Sequence, residues 1–286
     1  MVFTVRGRTV LVTGAGMGMG RLYAERAVRE GAAAVVLWDV DGRALEEVVA
    51  SLAAEATTLH SYVVDVASVE SIQAAAGAVL GDVGVPDVLV NNAGIVRGKY
   101  FWEHDHRADI DLTLAVNTAG PMHVTRAFLP AMMERGTPAR ILNVASASGT
   151  LAVPRMSVYA ASKWAVIGWS DSLRLELVAA GHPIAVTTLI PSYIRTGMFE
   201  GARGPLLTPL MEPGHVVERA WRGMLAGRAR VQLPWTVQLG GTLRNLLPQP
   251  VWDVVAGRVF KVYSSMEHFT GRPTGSTAGA ARKGNA

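Results

Sequence analysis

Tyr159 and Lys163 stand four residues apart in Tyr159-Ala160-Ala161-Ser162-Lys163. On a helix this spacing puts both side chains on one face, one turn apart. A free tyrosine, with a pKa of roughly 10, is a poor base at neutral pH. An ammonium held beside it favours the phenolate. The pair can therefore donate and accept the proton in a hydroxyl–carbonyl interconversion. Tyr and Lys at this spacing are more often plain helical neighbours, so the reading depends on what surrounds them.

The first such element is a phosphate cradle. Arg8 to Thr13 is a short apolar, β-branched run that reads as a buried strand. It opens into Gly14-Ala15-Gly16-Met17-Gly18-Met19-Gly20, followed by a helical pattern from Arg21 to Glu30. Glycines allow close backbone approach, and a helix start offers unpaired N–H groups and a positive dipole end. The spacing G-x-x-x-G-x-G differs from the G-x-G-x-x-G fingerprint. A glycine turn can be only a tight loop, but between a strand and a helix it reads as dinucleotide binding. A second strand, Ala33 to Trp38, ends at Asp39, where an acid can accept hydrogen bonds from an adenosine ribose and repel a 2′-phosphate. This favours NAD over NADP. Asp39 or Asp41 can equally cap the next helix, Gly42 to Ala54, and both readings can hold.

Further strands are expected at Thr58 to Val64, Asp87 to Val90, Arg140 to Val144 and Pro183 to Ile190, alternating with helical patterns. That alternation implies an α/β fold, a Rossmann-like doubly wound parallel sheet covered on both faces. Ligands bind beyond the carboxyl ends of such strands, where Asp39, Asp65 and Asn91 fall. Asn117 lies within a long helical pattern, Arg107 to Arg135, shortly before Gly120-Pro121, where a proline can bend the axis. His104-Asp105-His106 reads as a surface helix start, not a metal site, because residues two apart do not share a helix face. Ser157 is expected to cap the helix carrying Tyr159. The segment Gly197 to Pro213 is either a ligand-closing loop or plain surface.

Half of the 286 residues are hydrophobic and the mean hydropathy is +0.25, enough for one well-buried domain over residues 1–270. There is no cysteine, hence no thiol nucleophile or thiolate metal site. The amino terminus runs straight into a strand, so neither a signal peptide nor a membrane anchor is expected, and no apolar run reaches the roughly 20 residues of a spanning helix. A cytoplasmic protein is expected. The net charge of +4 comes from scattered arginines, a poor match to nucleic acid. From Pro234 to Phe269 the chain is apolar and aromatic with Arg244, Arg258 and Lys261 interspersed. It suits core or subunit packing, a lid over a greasy substrate, or peripheral membrane contact. Residues 271–286 read as a disordered tail.

Taken together, the motifs Thr13-Gly14-x-x-x-Gly18-x-Gly20, Asp65, Asn91-Asn92-Ala93-Gly94, Asn117, Ser146 and Tyr159-x-x-x-Lys163 resemble the short-chain dehydrogenase/reductase family over roughly Gly7 to Thr196. The resemblance implies that Tyr159 is the acid–base, that Lys163 lowers its pKa and holds the nicotinamide ribose, and that Ser146 hydrogen-bonds the substrate oxygen. Ser146, rather than Ser148, fits the usual gap to the tyrosine. Asn117 is implied in a proton relay. The implied NAD contacts are Gly14, Gly18, Met19 and Gly20 at the pyrophosphate, Asp39 at the ribose, and Asp65 and Val66 at the adenine. Asn91, Ala93 and Gly94 are implied at the middle, and Pro191, Ile194 and Thr196 with Tyr159 and Lys163 at the nicotinamide end. No metal is needed for direct hydride transfer. Ser192 stands where many members have glycine, and Ile194-Arg195-Thr196-Gly197-Met198-Phe199 is similar to the branch of retinol and hydroxysteroid dehydrogenases. Members usually form dimers or tetramers through two long helices, here roughly Arg107 to Arg135 and Ser157 to Ala179.

The expected activity is NAD-dependent interconversion of a hydrophobic secondary alcohol and its ketone. Ser146, Val153, Met156, Tyr159, Met198 and Phe199 are expected to touch the substrate. The alternatives are an NADPH-dependent ketoacyl-carrier reductase, against which Asp39 argues, and a non-catalytic lipid- or nucleotide-sensing module, against which the intact Ser146, Tyr159 and Lys163 argue.

Overall fold

The computed structural model describes residues 3–53, 56–206 and 208–271. The expected tail from residue 272 onward lies outside the described residues. Seven strands form one parallel sheet: β1 (Thr9–Thr13), β2 (Ala34–Asp39), β3 (Thr58–Val63), β4 (Val88–Asn91), β5 (Ala139–Val144), β6 (Ile184–Pro191) and β7 (Arg230–Leu233). Their order is β3-β2-β1-β4-β5-β6-β7, so the direction of winding reverses between β1 and β4. The expected doubly wound parallel sheet is what the chain forms. Its seventh strand was not legible: Arg230-Val231-Gln232-Leu233 is short and half polar, and it pairs only because β6 offers the register Pro191 to Leu233.

Strand side chains alternate between two cores, as a period of two requires. Val10, Val12, Val35, Leu37, Val88 and Val90 face α1 (Gly18–Arg29), α2 (Gly42–Leu52) and α7 (Pro213–Leu225). Leu11, Val36, Trp38, Leu89 and Ile141 face α3 (Val69–Asp82), α5 (Gly120–Arg135) and α6 (Ser157–Ala179). Burial on both faces explains why these strands read as continuous apolar runs.

The expected single helix from Arg107 to Arg135 is interrupted. Wide π-type turns at His106–Asp111 and Ala115–Ala119 flank the short α4 (Leu112–Leu114) before α5 begins. Pro121 sits in the first turn of α5, where a proline is tolerated, so the distortion precedes it. A Cβ at Gly120 would lie 2.8 Å from the Val66 carbonyl oxygen, which shows how closely this helix passes the loop after β3.

Two local expectations are corrected. Met156, not Ser157, is the N-cap of α6, and no side chain caps it; Ser157 is its first helical residue. His104-Asp105-His106 does start a helix, with the Asp105 carboxylate accepting from the amides of Arg107 and Ala108. His104, however, is not a surface side chain: its ring is fully covered, 3.6 Å from the buried Asp109 carboxylate, which also holds Lys99 at 2.7 Å.

The carboxyl-terminal part contributes α8 (Trp235–Leu246), α9 (Gln249–Val254) and a π-type turn, Val255–Val259. Trp252, Ala256, Val262 and Met266 join Val96, Val153, Met156, Tyr159 and Tyr193 in a third core. Backbone hydrogen bonds from Arg203 to Ser265 and from Leu206 to Phe260 tie the segment after β6 to this cap. No described helix is long and apolar enough to cross a membrane.

Trp221 joins α7 to α1. It is fully buried, stacks on Tyr23 at 6.2 Å and donates to Glu30 at 2.9 Å. Trp221→Ala removes that packing and is expected to destabilise the fold by about 3–5 kcal/mol, read by urea denaturation.

Candidate active site

At the carboxyl end of β1 the chain enters the glycine turn. Gly14 and Gly18 have φ of +66° and +55°, a region that favours glycine. A Cβ at Gly14 would lie 2.9 Å from Ala93 Cα, and one at Gly20 only 1.8 Å from the Gly14 carbonyl oxygen. The N-terminus of α1 has no side-chain cap and no acid in its first turn. A tight turn with open N–H groups and a positive dipole end fits a pyrophosphate. The residues present therefore fit a dinucleotide.

Asp39 ends β2 and faces this turn. Its carboxylate accepts from the amides of Gly16 at 2.8 Å and Asp41 at 3.1 Å. Asp41, by contrast, caps α2 through the Ala44 amide at 3.1 Å. Of the two aspartates, the helix cap is therefore Asp41. Arg21 is paired with Glu25 at 2.8 Å along α1. Asp65 folds back to accept from the Ala67 amide at 2.9 Å, and Ser68 caps α3.

The segment after β4 is held from both sides. Thr13 Oγ1 accepts from the amides of Asn92 and Ala93 at 3.0 and 3.1 Å. The Asn92 amide group donates to the carbonyls of Thr13 and Gly14. The Asn91 side chain instead points into the core, donating to Thr125 and Asn143, so only its main chain is available to a ligand. Asn117 grips Ile95 twice: its Oδ1 accepts from the amide at 2.8 Å and its Nδ2 donates to the carbonyl at 2.9 Å. The same Nδ2 donates to Ser162 Oγ at 3.1 Å, and Ser162 donates on to the Tyr159 carbonyl at 2.6 Å. Asn117 therefore reaches α6 through Ser162 and makes no hydrogen bond to Lys163.

Tyr159 and Lys163 are both buried on the inner face of α6. Lys163 Nζ lies 5.7 Å from the Tyr159 ring centre and donates to the Val144 carbonyl at 3.0 Å. Burial lowers the Lys163 pKa from 10.5 to about 8. Burial also raises that of Tyr159, and the facing Ser146 hydroxyl pulls in the other direction. Desolvation outweighs that hydrogen bond, and Tyr159 is a neutral phenol at pH 7. Ser146 Oγ accepts from the Ser148 amide at 3.2 Å, which fixes its direction at the end of β5.

From the end of β6, Pro191 to Thr196 curve back over the site. A Cβ at Gly18 would come within 3.7 Å of Thr196, so this segment closes on the glycine turn. Beyond Ser146 opens a largely apolar cleft. It is bounded by Leu151, Val153, Phe199, Leu206, Leu239 and Trp252. Of the expected substrate contacts, Ser146, Val153 and Phe199 line it; Tyr159 is outside the lining, its ring meeting Phe199 edge-on at 6.1 Å. Met156 is instead fully buried in the core behind Tyr159, and Met198 packs on that core outside the cleft lining.

Sequence reasoning placed Thr13 and Asn92 within motifs but gave no role to them, to Ser162 or to Tyr193. Tyr193 lines the cleft and its hydroxyl reaches Ser265 Oγ at 2.8 Å, anchoring the carboxyl-terminal cap. Ser265 donates to the Val262 carbonyl, so Tyr193 is the donor. No spacing rule joins residues so distant in sequence. Among the described residues, no group of three or more His, Asp or Glu could hold a metal ion.

The short chain dehydrogenase family model matches residues 8–205, and the chain belongs to this family. It is 36% identical over 258 residues to estradiol 17-beta-dehydrogenase 11 of Pongo abelii, covering 90% of this chain and 84% of that protein. It is 33% identical over 273 residues to epidermal retinol dehydrogenase 2 of Mus musculus, covering 94% and 87%. These relatives place it with the hydroxysteroid and retinol dehydrogenase branch of oxidoreductases. Among solved structures, a short chain dehydrogenase/reductase from Burkholderia phymatum in complex with NAD superposes with a TM-score of 0.78 at 28% identity, covering 85% of this chain and 95% of that one. A metagenomic short-chain oxidoreductase in complex with NADP gives 0.67 at 29% identity, covering 80% and 97%.

Two predictions follow from the geometry of the site. Gly20→Ala, which must displace the turn, is expected to weaken NADH binding by about tenfold or more in a fluorescence titration. Gly77→Ala, with nothing within 4 Å, leaves it unchanged. For Lys163, the unfolded chain binds more protons than the folded one between about pH 8 and 10.5, so stability rises with pH through that window. Urea denaturation across it should show the parent gaining on Lys163→Met by on the order of 3 kcal/mol.

Proposed function

We propose that this protein interconverts a hydrophobic secondary alcohol and its ketone, with NAD as the partner redox cofactor. The observation that carries this reading is that Ser146 lines a largely apolar cleft and faces the buried Tyr159, which packs edge-on behind the Phe199 wall of that cleft. Such a cavity binds through buried apolar area and orients its ligand with few polar groups. A steroid, a retinoid-like alcohol or a long-chain hydroxylated lipid fits that description.

In this reading Ser146 donates a hydrogen bond to the substrate oxygen and stabilises charge developing there. Tyr159 passes its phenolic proton to that oxygen in reduction and takes it back in oxidation. Lys163, buried beside it, holds positive charge near the phenolic oxygen as the proton leaves. Asn117 and Ser162 hold α6 against the Ile95 main chain, which fixes the distance between the tyrosine and the cofactor side of the site. When bound, a nicotinamide cofactor would supply the hydride chemistry, by direct transfer to or from the substrate carbon. Gly14, Gly18, Met19 and Gly20 would hold its pyrophosphate, and the loop from Pro191 to Thr196 its nicotinamide end.

Support for NAD over NADP comes from Asp39. Its carboxylate stands against the Gly16 amide, where a 2′-phosphate would meet a negative charge, and Arg21 is already paired. The family's helix-to-helix assembly is proposed with it, supported by the exposed Trp164, Leu175 and Val178 on α6.

The test is NADH formation across secondary alcohols of increasing chain length, with NADP in parallel. Rates should climb with chain length and be lower with NADP. Tyr159→Phe should lower turnover by roughly 10²–10⁴-fold while retaining NADH binding. Unchanged turnover in that variant would sink the mechanism, and turnover confined to small polar polyols would sink the substrate class.

A further inference from the structure

The outward side of α8 carries no charged residue: Gln238, Thr242 and Asn245 share it with large apolar side chains, where a solvent-facing helix is normally polar. Trp235, Leu239 and Leu246 follow helical spacing along it, with Trp235 68% and Leu246 73% exposed, while Val237 turns inward. Val254 and Val259, also exposed, extend the apolar surface on the neighbouring α9 and the turn after it. The patch runs into the mouth of the cleft. Leu206 and Leu239 are both exposed and part of the cleft lining. Leu206 is fixed there by its amide bond to the Phe260 carbonyl at 2.8 Å, and Thr208 meets Thr236 of α8 at 2.9 Å.

The charge along this segment is mostly basic. From Trp235 to Lys261 the chain has three basic residues, Arg244, Arg258 and Lys261, against one acid, Asp253. Arg244 is turned inward to the Thr150 carbonyl and the face of Trp164, whereas Arg258 and Lys261 are exposed. Asp253 is engaged by Gln249 and the Tyr263 hydroxyl. Exposed aliphatics, a tryptophan and free cations on one surface match the boundary of an anionic bilayer, where acyl chains receive the first two and headgroups the last. A second copy of the chain seated here would cover Leu206 and Leu239 and shut the cleft; a lipid surface leaves the mouth facing the phase in which an apolar ligand dissolves.

We propose that the face formed by α8, α9 and Leu206 docks the protein on an anionic lipid surface, with the mouth of the cleft turned toward the acyl boundary. The docking rests on this surface alone. Delivery of substrate from the lipid rests in addition on the function proposed above.

The experiment is co-sedimentation of the full chain, without substrate or cofactor, with vesicles of phosphatidylcholine alone or mixed with phosphatidylserine. Binding is expected on the mixed vesicles, weakening as salt is added. Trp235→Gln with Leu246→Glu, two exposed positions outside the cleft lining, should reduce it on the order of tenfold or more at an unchanged thermal midpoint. Trp235→Phe with Leu246→Ile should retain it. Arg258→Glu with Lys261→Glu should remove the preference for phosphatidylserine. No sedimentation of the parent chain, or equal binding by the Trp235→Gln, Leu246→Glu variant, would overturn the proposal. So would a concentration-dependent dimer, dispersed by those same substitutions, in a chain that ignores vesicles. Because no turnover is measured, the outcome stands apart from success or failure of the proposed reaction.

Discussion

The site depends on a cross-link where the strand order reverses. Thr13 at the end of β1 and Asn92 just after β4 exchange hydrogen bonds through side chain and main chain alike. Neighbouring parallel strands diverge at such a point and leave a crevice beyond their ends. Here the floor of that crevice is stitched closed, with Gly14 pressed on Ala93 so tightly that a Cβ has no room. The same segment continues to Ile95, which Asn117 grips by both main-chain groups, and Asn117 passes the constraint through Ser162 to the Tyr159 carbonyl. One hydrogen-bonded path therefore connects the glycine turn to the helix carrying the tyrosine and the lysine. It fixes the position of one relative to the other, which a reaction between two bound molecules requires.

That path shows what a sequence can and cannot disclose. The strands and the flanking helices were legible because two-faced burial leaves apolar runs, and runs separated by helical patterns admit few topologies. Asp39, Asn91 and Tyr159 were legible because strand ends and helix spacing place them. The role of Asn91 was not: its side chain satisfies buried Thr125 and Asn143, a choice made by packing across three elements. Asn92 and Ser162 act through main-chain acceptors, which carry no residue signature. β7 gains its strand character from its neighbour, its own residues being too few and too polar. Met156 and Met198 are apolar residues near the tyrosine in sequence, but which of them line the cleft depends on the cap supplied from beyond Trp235.

That cap is what separates this chain from a bare dinucleotide-binding sheet. Trp252, Phe260 and Val262 reach back to wall the cleft, and the Tyr193–Ser265 hydrogen bond pins the cap to the loop after β6. The edge-on contacts of Phe199 with Tyr159 and with Tyr193 extend the same wall to the reactive phenol. Shape and polarity of the ligand are thus set by a segment distant in sequence from the residues that handle the proton. Specificity can change there without disturbing the polar path beneath.

The wall also governs the proton chemistry. Excluding water from Tyr159 and Lys163 disfavours the charged form of each, raising one pKa and lowering the other. The tyrosine thereby rests protonated, the form that the proposed reduction needs as its acid. Acting as a base requires compensation, because a bare phenolate in this cleft would be poorly solvated. Positive charge entering the cleft provides it, through Coulomb attraction that the low-polarity wall strengthens. An oxidised nicotinamide carries such a charge and a reduced one does not. In the proposed reaction the direction in which the tyrosine works would accordingly be tied to the redox form of the bound nicotinamide, and the apolar wall would strengthen that coupling.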